Sequence, residues 1–315
     1  MTQEEQKLII DSYINEIELS LEQIAQKFNI SSSTVSRIIR INNVPRRSQN
    51  IKEKNQKQII EEYLKGKSKL YLSKKYNTST EHITKILKEQ NIPKVSLAKQ
   101  KNPNLIENYF EKIDTKDKAY WLGWIISDGS IIRDEIKNRY ELAISLQSKD
   151  EYILHLLEQD LKVENKVTTF NKKYKRFYLC CKKMINDLYN LGISQNKSHI
   201  VKMPTLSEEL MPHLIRGIFD GDGGFSVYTR KTGQKCQELS FCGNAYIVSS
   251  IAETLFNNLS NLTHNSITDE ASIKRIRWGS KKDIKLIKDY LYKDCDVHYL
   301  KRKYDLIQAN TEVTN

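Results

Sequence analysis

The chain has 315 residues, of which 39% are apolar and 29% charged, so it is long enough for two or three domains with ordinary hydrophobic cores. Its 51 Lys and Arg residues against 39 Asp and Glu give a formal net charge of +12, which indicates a polyanionic partner. No apolar run approaches the ~18 residues of a membrane span, and the start lacks a signal-peptide core. We therefore expect an intracellular, cytoplasmic protein whose five cysteines are reduced thiols.

The first third of the chain is a tandem duplication. Residues 9–46 and 59–94 align at an offset of 48 residues, which pairs Phe28 with Tyr76. Each copy carries two short apolar blocks at helical spacing, separated by a polar turn. The pattern predicts an all-α region in which each copy resembles a helix-turn-helix.

The second helix of the first copy carries polar and basic side chains opposite its apolar residues, and a basic segment follows it. Such side chains suit phosphate and base-edge contacts in a major groove. The residues that we predict to contact DNA here are Ser33, Thr34, Arg37, Arg40, Arg46 and Arg47. A helical hairpin that serves only for packing is the alternative that this pattern leaves open.

The basic surplus is shared between two parts of the chain. Residues 1–113 hold 20 basic and 13 acidic side chains, a net charge of +7, and the remainder carries the other +5. Both parts are therefore candidates for contact with nucleic acid. A polar, proline-interrupted segment between them predicts a linker over residues 99–114.

The remaining two-thirds of the chain also repeats. Residues 120–131 and 214–225 are apolar helical segments that end in Asp-Gly, and Asp128 and Asp222 lie 94 residues apart. Each segment is followed by a strand beginning Glu-Leu, an amphipathic helix, a basic hairpin and a helix led by Lys-Lys, which predicts a pseudo-twofold α+β domain. The predicted domains are the helix-turn-helix copies 1–50 and 51–98, the linker 99–114, the α+β repeats 115–204 and 205–308, and a tail, 309–315.

A glycine lies five residues before each acid, Gly123 before Asp128 and Gly217 before Asp222. Without side chains at these positions, two helices can cross closely along the pseudo-dyad, which brings both acids to a common point. Two carboxylates beside two helix C-termini favour an oxygen-preferring divalent cation such as Mg²⁺. A metal held between carboxylates and phosphates activates water and stabilises the leaving oxygen. Either acid alone would indicate only a helix-terminating residue.

The segments 121–129 (WLGWIISDG) and 215–223 (IRGIFDGDG) resemble the two signature motifs of the LAGLIDADG homing endonucleases, and the likeness covers roughly residues 115–308. The resemblance implies two αββαββα repeats with saddle-shaped antiparallel sheets. It also implies a monomer that uses Mg²⁺ or Mn²⁺ to cut both strands of double-stranded DNA, leaving 3′ overhangs. The first motif departs from the family pattern at Ile126, where the second motif has Asp220.

The resemblance also implies the roles of individual residues. The implied catalytic residues are Asp128, Asp222, Lys197 and Lys303, and the implied metal ligands are Asp128, Asp222 and the backbone carbonyls of Ser127 and Gly221. Lys301 is an alternative to Lys303. The glycine after each acid, Gly129 and Gly223, predicts the left-handed conformation that ends many helices.

Basic residues at strand spacing mark the hairpins of both repeats. A twisted antiparallel sheet with one basic face fits the major groove of B-DNA. The residues that we predict to contact DNA from these hairpins are Arg133, Arg139, Lys173, Lys175, Arg230, Lys231, Lys274, Arg275 and Arg277. Solvation of one sheet face is the alternative explanation of these charges.

Two other functions stay open. One is a DNA-binding transcriptional regulator of the same fold that does not cut, and the other is an intron RNA maturase. Retention of both acids argues against a scaffold that only binds, because converging carboxylates are costly to keep. The ends of the sequence carry neither a splicing nucleophile nor a terminal His-Asn pair, so we expect a free-standing protein and not one embedded in an intein.

Overall fold

The computed structural model describes residues 2–16, 19–44 and 47–311, with the side chains of the helix that begins at Arg47 described from Asn55 onward. The chain divides into two compact units, Met1–Ser96 and Leu97–Asn315. In the described part of the chain, the first unit has two hydrophobic clusters and the second has one. Within the described residues, no helix is long and apolar enough to cross a membrane.

The described part of the first unit is helical, as the sequence predicts. Its helices are α1 (Gln3–Asn15), α2 (Leu21–Lys27), α3 (Ser32–Ile41), α4 (Arg47–Leu64), α5 (Lys69–Lys75) and α6 (Thr80–Glu89). The pairs α2/α3 and α5/α6 have the same lengths, 7 and 10 residues. A serine caps the N-terminus of each of these four helices by accepting a backbone hydrogen bond. The duplication in sequence is therefore a duplication of structure.

Both short helix pairs turn at an asparagine in the left-handed conformation. Asn29 has a φ of 52° and Asn77 a φ of 48°, a region that asparagine tolerates better than most residues. Beyond each turn, the second helix buries a β-branched residue completely, Val35 in the first copy and Ile83 in the second. Each copy thus closes over a small hydrophobic core of its own.

The second unit contains the order αββαββα twice, preceded by one short helix and followed by another helix. The elements are α7 (Leu97–Lys101), α8 (Lys116–Ser127), β1 (Gly129–Asp134), β2 (Arg139–Gln147), α9 (Glu151–Leu161), β3 (Val167–Asn171), β4 (Tyr174–Cys180), α10 (Lys182–Asn190), α11 (Met211–Gly221), β5 (Gly224–Thr229), β6 (Lys235–Gly243), α12 (Ala245–Asn258), β7 (Thr268–Glu270), β8 (Ile273–Trp278), α13 (Lys281–Leu291) and α14 (Lys301–Thr311). The duplicated α+β fold is confirmed.

The strands form two four-stranded antiparallel sheets with matching topology. The first sheet has the order β1-β2-β4-β3 and the second the order β5-β6-β8-β7. One face of each sheet packs on the helices, so alternate residues are buried: Leu142 and Ile144 in β2, and Leu239 and Phe241 in β6. We call the opposite side of each sheet its outer face.

The segment between the two repeated regions packs on the core of the second unit. Leu105 and Phe110 are completely buried, and Tyr109 is 6% exposed. The Ile106 N–H donates to Leu161 O at 3.1 Å, which joins the segment to the end of α9. Residues 105–110 are therefore not the exposed linker that the polar composition predicts, because the few apolar residues among the polar ones all turn inward.

Candidate active site and nucleic-acid interface

Two glycines set the distance between α8 and α11. A Cβ added to Gly123 would lie 2.2 Å from Leu214 O, and a Cβ added to Gly217 would lie 2.1 Å from Tyr120 O. Neither position admits a side chain unless the helices move apart. The two glycines predicted at the helix interface thus lie where the backbones of α8 and α11 are in close contact.

Asp128 and Asp222 stand at the C-terminal ends of these crossing helices, each in the C-cap position. The crossing brings them together: Asp128 Oδ2 lies 3.4 Å from where a Cβ on Gly221, at the end of the opposite helix, would stand. The charge of Asp128 also contributes to raising the pKa of Asp222, after the larger effect of burial. The geometry therefore places one acid from each repeat in a single cluster.

The two carboxylates are available to a ligand. Neither accepts a hydrogen bond or forms an ion pair within the described part of the chain, and both lie open to solvent on one side. Burial of the other side raises the pKa of both acids, that of Asp222 to about 6. No group of three or more His, Cys, Asp or Glu side chains among the described residues is placed to hold a metal. Two carboxylates fit a hard divalent cation whose remaining ligands are carbonyls, water or substrate.

Two buried lysines reach the acids from equivalent places in the two repeats. Lys197 Nζ donates to Gly129 O at 2.5 Å, and Lys303 Nζ donates to Gly223 O at 2.5 Å, which is the residue after the acid in each case. Lys197 is 6% exposed and Lys303 9%. Their charges lower the pKa of both acids against the effect of burial. Lys301, the alternative to Lys303, is exposed at the start of α14.

The lysines also bond the helix ends themselves. Lys303 Nζ donates to Phe219 O at 2.7 Å and to Asp220 O at 2.9 Å, so all three of its N–H groups meet backbone carbonyls. Lys197 Nζ makes a longer bond, 3.4 Å, to Ser127 O, which is one of the two carbonyls predicted as metal ligands. The other, Gly221, lies opposite Ser127, since an added Cβ would stand 2.0 Å from Ser127 Oγ.

The glycines that follow the acids have a different role from the predicted one. Neither Gly129 nor Gly223 is among the residues with positive φ, so the left-handed conformation expected for them is wrong. A Cβ on Gly129 would lie 2.6 Å from Ile125 O, and a Cβ on Gly223 would lie 2.4 Å from the ring of Phe219. Glycine is needed here because β1 and β5 leave their helices at once and press against the last helical turn.

Asp220 is a buried acid near the site whose contacts the sequence did not reveal. It is 1% exposed, and its Oδ2 accepts hydrogen bonds from Tyr120 Oη at 3.0 Å and from Leu300 N at 2.7 Å. Burial raises the pKa of Asp220 to about 6. This carboxyl group joins α8 and α11 to the start of α14, the helix that carries Lys303. Ile126, at the matching position of the first motif, is an apolar core residue and forms no such link.

Strand alternation separates the predicted DNA-contacting residues of the second unit. Those on the outer faces are Arg139, Arg275 and Arg277. Those that alternate with them and lie on the helix-facing side are Arg133, Lys175 and Lys274. Those exposed in hairpin turns are Lys173, Arg230 and Lys231. A duplex against the outer faces could contact the outer-face and turn residues. The prediction that Arg133, Lys175 and Lys274 contact DNA conflicts with their position on the helix-facing side.

The helix-facing residues have partners on that side of the sheet. The Arg133 guanidinium lies 4.8 Å from the ring centre of Tyr189 on α10. Lys175 forms an ion pair of 2.8 Å with Glu151 at the start of α9. Both side chains therefore brace the sheet against its own helices.

One outer-face arginine of the first sheet, Arg176, was not among the predicted contacts. Arg176 in β4 is equivalent to Arg275 in β8. Each lies three residues before the residue that pairs with the leucine of the Glu-Leu strand, Leu179 opposite Leu142 and Trp278 opposite Leu239. Its guanidinium lies 5.5 Å from the ring centre of Phe170 and 5.7 Å from that of Tyr178. Its alternation with buried Phe177 was the signal in the sequence that places it on the outer face.

Acids share the outer faces with the arginines. The ion pairs there include Arg139 with Glu141 at 2.5 Å, Arg275 with Glu270 at 2.9 Å, and Arg277 with Glu238 at 3.3 Å, and Arg277 also contacts Glu270. The arginine stays partly exposed in each of these pairs, and pairs of this kind contribute little to folding stability, about 0–1 kcal/mol each. Their main effect is therefore on the orientation and net charge of the outer faces.

In the first unit, α3 presents most of its predicted contacts to solvent. Ser33, Arg37 and Arg40 are exposed and Thr34 is half-buried. The hydroxyls of Ser33 and Thr34 lie 2.8 Å and 2.7 Å from that of the helix cap, Ser31. The prediction for Arg46 lies outside the described residues, and so does that for the side chain of Arg47.

The raised pKa of Asp222 predicts a loss of stability with rising pH. Because burial and Asp128 raise this pKa to about 6 from 3.8, the folded state holds the proton more tightly than the unfolded state. Stability is therefore lost as the pH rises from about 4 to about 6, and it stays lower above that window. Asp222→Asn is expected to raise Tm above about pH 6 but not at about pH 4. After allowance for the exposure of the carboxylate, we expect about 1 kcal/mol, or about 2–4 °C.

Thermal unfolding of both proteins in a chelating buffer, followed across this pH range, checks the expectation. A Tm difference between the two proteins that is the same at every pH would show that folding does not raise the pKa of Asp222.

Comparisons with known proteins give one family model and several solved structures. A family model described as Sigma-70, region 4, matches residues 1–41, which include α1 to α3. No curated protein matches the sequence. Solved structures that match include the LAGLIDADG meganuclease I-AabMI bound to uncleaved DNA, at 12% identity and a TM-score of 0.45, covering 61% of this chain and 89% of that one.

Two further matches have similar values. The meganuclease I-SmaMI bound to uncleavable DNA has 14% identity and a TM-score of 0.44, covering 62% of this chain and 87% of that one. The LAGLIDADG homing endonuclease I-LtrWI bound to target DNA has 12% identity and a TM-score of 0.42, covering 65% and 90%. At this level of similarity, the chemistry has to be inferred from the chain's own residues. By its motif pair, its duplicated αββαββα order and its two converging acids, the second unit resembles the LAGLIDADG homing endonucleases in sequence pattern and in fold.

Proposed function

We propose that the chain is a site-specific endonuclease that binds double-stranded DNA as a monomer and hydrolyses one phosphodiester bond in each strand. The observation that carries the proposal is the cluster at the helix crossing. Asp128 and Asp222 converge there without protein partners, and each repeat adds one buried lysine, Lys197 or Lys303. One acid and one lysine per repeat suit a substrate with two strands.

Residues of this chain would hold a divalent metal and the scissile phosphates. Asp128 and Asp222 would bind Mg²⁺ or Mn²⁺, with the carbonyls of Ser127 and Gly221 beside them. The bound metal would supply Lewis acidity and an activated water. Lys197 and Lys303 keep the helix ends in place and put positive charge beside the acids, where a phosphate develops negative charge during hydrolysis.

The two sheets would bind the duplex on either side of the cuts. Their outer faces carry arginines at matching positions, Arg176 in the first sheet and Arg275 in the second, but the neighbouring residues differ. Two similar but unequal repeats suit an asymmetric target. We propose cleavage across the minor groove with 3′ overhangs, which the resemblance to the LAGLIDADG family implies.

A cleavage assay tests the proposal. The purified chain is incubated with Mg²⁺ and supercoiled plasmids that carry the uninterrupted form of the gene in which its reading frame occurs. We expect linear product with 3′ overhangs, and none after chelation of the metal. A chain that binds the duplex but leaves it intact in Mg²⁺ and Mn²⁺ would be a regulator. Tighter binding to an intron transcript than to the duplex would point to a maturase instead.

We propose that the first unit adds affinity through α3. Replacing both Arg37 and Arg40 with Ala is expected to weaken duplex binding and to reduce the slope of log affinity against log salt by about 2, since each phosphate contact contributes about 0.9. Binding of the full chain at several salt concentrations measures this slope. Lys27→Ala on α2 is the control, because Lys27 is ion-paired with Glu16 at 2.5 Å. Equal slopes for the double variant and the control would exclude α3 from the DNA contact.

A further inference from the structure

Two arginines stand side by side on the outer face of the second sheet. Arg275 and Arg277 alternate along β8 with Ile276 and Trp278, which are completely buried against the helices. Since successive strand residues point to opposite sides, both guanidinium groups leave the sheet in the same direction. Residues two apart on a strand are separated by about 6.6 Å, which is close to two base-pair steps of B-DNA at about 3.4 Å each.

Acids hold these two guanidinium groups from the side. Arg277 Nε lies 3.3 Å from Glu238 Oε1, its Nη1 donates to Thr268 Oγ1 at 3.2 Å, and its Nη2 contacts Glu270. Glu270 also forms an ion pair of 2.9 Å with Arg275, so one carboxylate holds both arginines. Of the five N–H groups of Arg277, one on each terminal nitrogen has no partner in these contacts. Those two N–H groups remain for contact with a ligand.

We infer that Arg275 and Arg277 read two guanines, about two base-pair steps apart, in the half of the target that the second sheet contacts, with Glu270 as the positioning residue. The inference rests on the proposed function, because it requires a duplex against the outer faces. Guanine presents two acceptors, O6 and N7, to the major groove, and an end-on arginine fork meets both. Glu238 and Glu270 offset the positive charge of the arginines, which weakens the attraction of these arginines to any phosphate. Hydrogen bonds to bases are then the main contribution of the two arginines to binding.

The first sheet lacks this device. Tyr178 occupies the position in β4 that Arg277 occupies in β8, so β4 carries one outer-face arginine, Arg176, where β8 carries two. Arg176 lies against the rings of Phe170 and Tyr178 and has no ion pair among the contacts described for it. The two spaced guanines are therefore expected in one half of the target only.

Selection from a randomised duplex library tests the inference by binding alone, with the full chain and Ca²⁺ in place of Mg²⁺. The selected sites are expected to contain two guanines two steps apart in one half. Arg277→Ala is expected to lower the preference for one guanine about 5- to 150-fold, and Arg275→Ala the preference for the other. Lys274→Ala is the matched control: Lys274 lies between the two arginines but on the helix-facing side, ion-paired with Asp269, so both preferences are expected to remain.

Glu270→Gln tests the positioning role. Because Glu270 contacts both arginines, its replacement is expected to lower both guanine preferences together, by less than either alanine variant. Guanine preferences that survive Arg275→Ala and Arg277→Ala, or that fall equally in Lys274→Ala, would overturn the assignment while leaving the endonuclease proposal intact. If the library yields no preferred duplex at all, the proposed function fails first, and this inference fails with it.

Discussion

Asp128→Asn and Asp222→Asn are each expected to abolish formation of linear DNA, with a loss of at least about 10³-fold in rate, while duplex affinity stays within about twofold. The amide keeps the shape of the side chain but removes the anionic oxygen that a hard cation needs. Both carboxylates lack protein partners, so their replacement breaks no hydrogen bond within the described residues. The loss should therefore be one of chemistry and not of folding.

Cleavage rates in Mg²⁺ and equilibrium binding in Ca²⁺ separate the two effects. Asp289→Asn is the matched control, because Asp289 is a half-exposed helix acid in the same unit, ion-paired with Lys285 at 2.6 Å. We expect the control to cut at the native rate. If both active-site variants still cut at the native rate, the acids are not the metal ligands. If they lose binding together with cutting, the acids are structural.

The lysines are where sequence and structure support one another most closely. Resemblance to the family motifs indicated both Lys197 and Lys303. The two residues lie in different elements: Lys197 is in a short helical turn and Lys303 is in α14. In the structure, each donates to the carbonyl of the glycine after the acid at the same distance. Their distances from the acids in sequence differ, so resemblance to the family motifs and not equal spacing indicated these two lysines.

Other features depend on contacts between distant parts of the chain, which no local pattern reveals. Asp220 meets the backbone of Leu300, 80 residues later, and Glu270 holds two arginines of the neighbouring strand. Composition misled at Leu105 and Phe110, because a few apolar residues in a polar segment can all face one core. The face of the sheet on which each charged residue lies could have been predicted from the sequence, because charged residues that alternate strictly with apolar ones lie opposite them. The predictions rested instead on the number of charges in each hairpin, which does not indicate the face.

Gly217→Ala is expected to destabilise the second unit by about 3 kcal/mol and to reduce cleavage by more than the loss of folded protein explains. The new Cβ would lie 2.1 Å from Tyr120 O, a backbone atom that moves only with α8. Separating the helices also separates the two acids at their ends. The free energy of unfolding and the cleavage rate per folded molecule should therefore both fall. Gly123→Ala, with its Cβ 2.2 Å from Leu214 O, should behave alike.

Gly243→Ala is the control for these two variants, since its Cβ would lie 3.6 Å from Ile247 and 3.9 Å from Val248, both ordinary contacts. It is expected to change the free energy of unfolding by no more than about 0.5 kcal/mol. Denaturant unfolding gives the stabilities, and cleavage rates corrected for the folded fraction give the remaining effect. A Gly217→Ala variant that is destabilised but cuts at the native rate per folded molecule would show that the acids tolerate a wider helix crossing. The position of the metal would then be set by the lysine-bonded helix ends and not by the glycine contact.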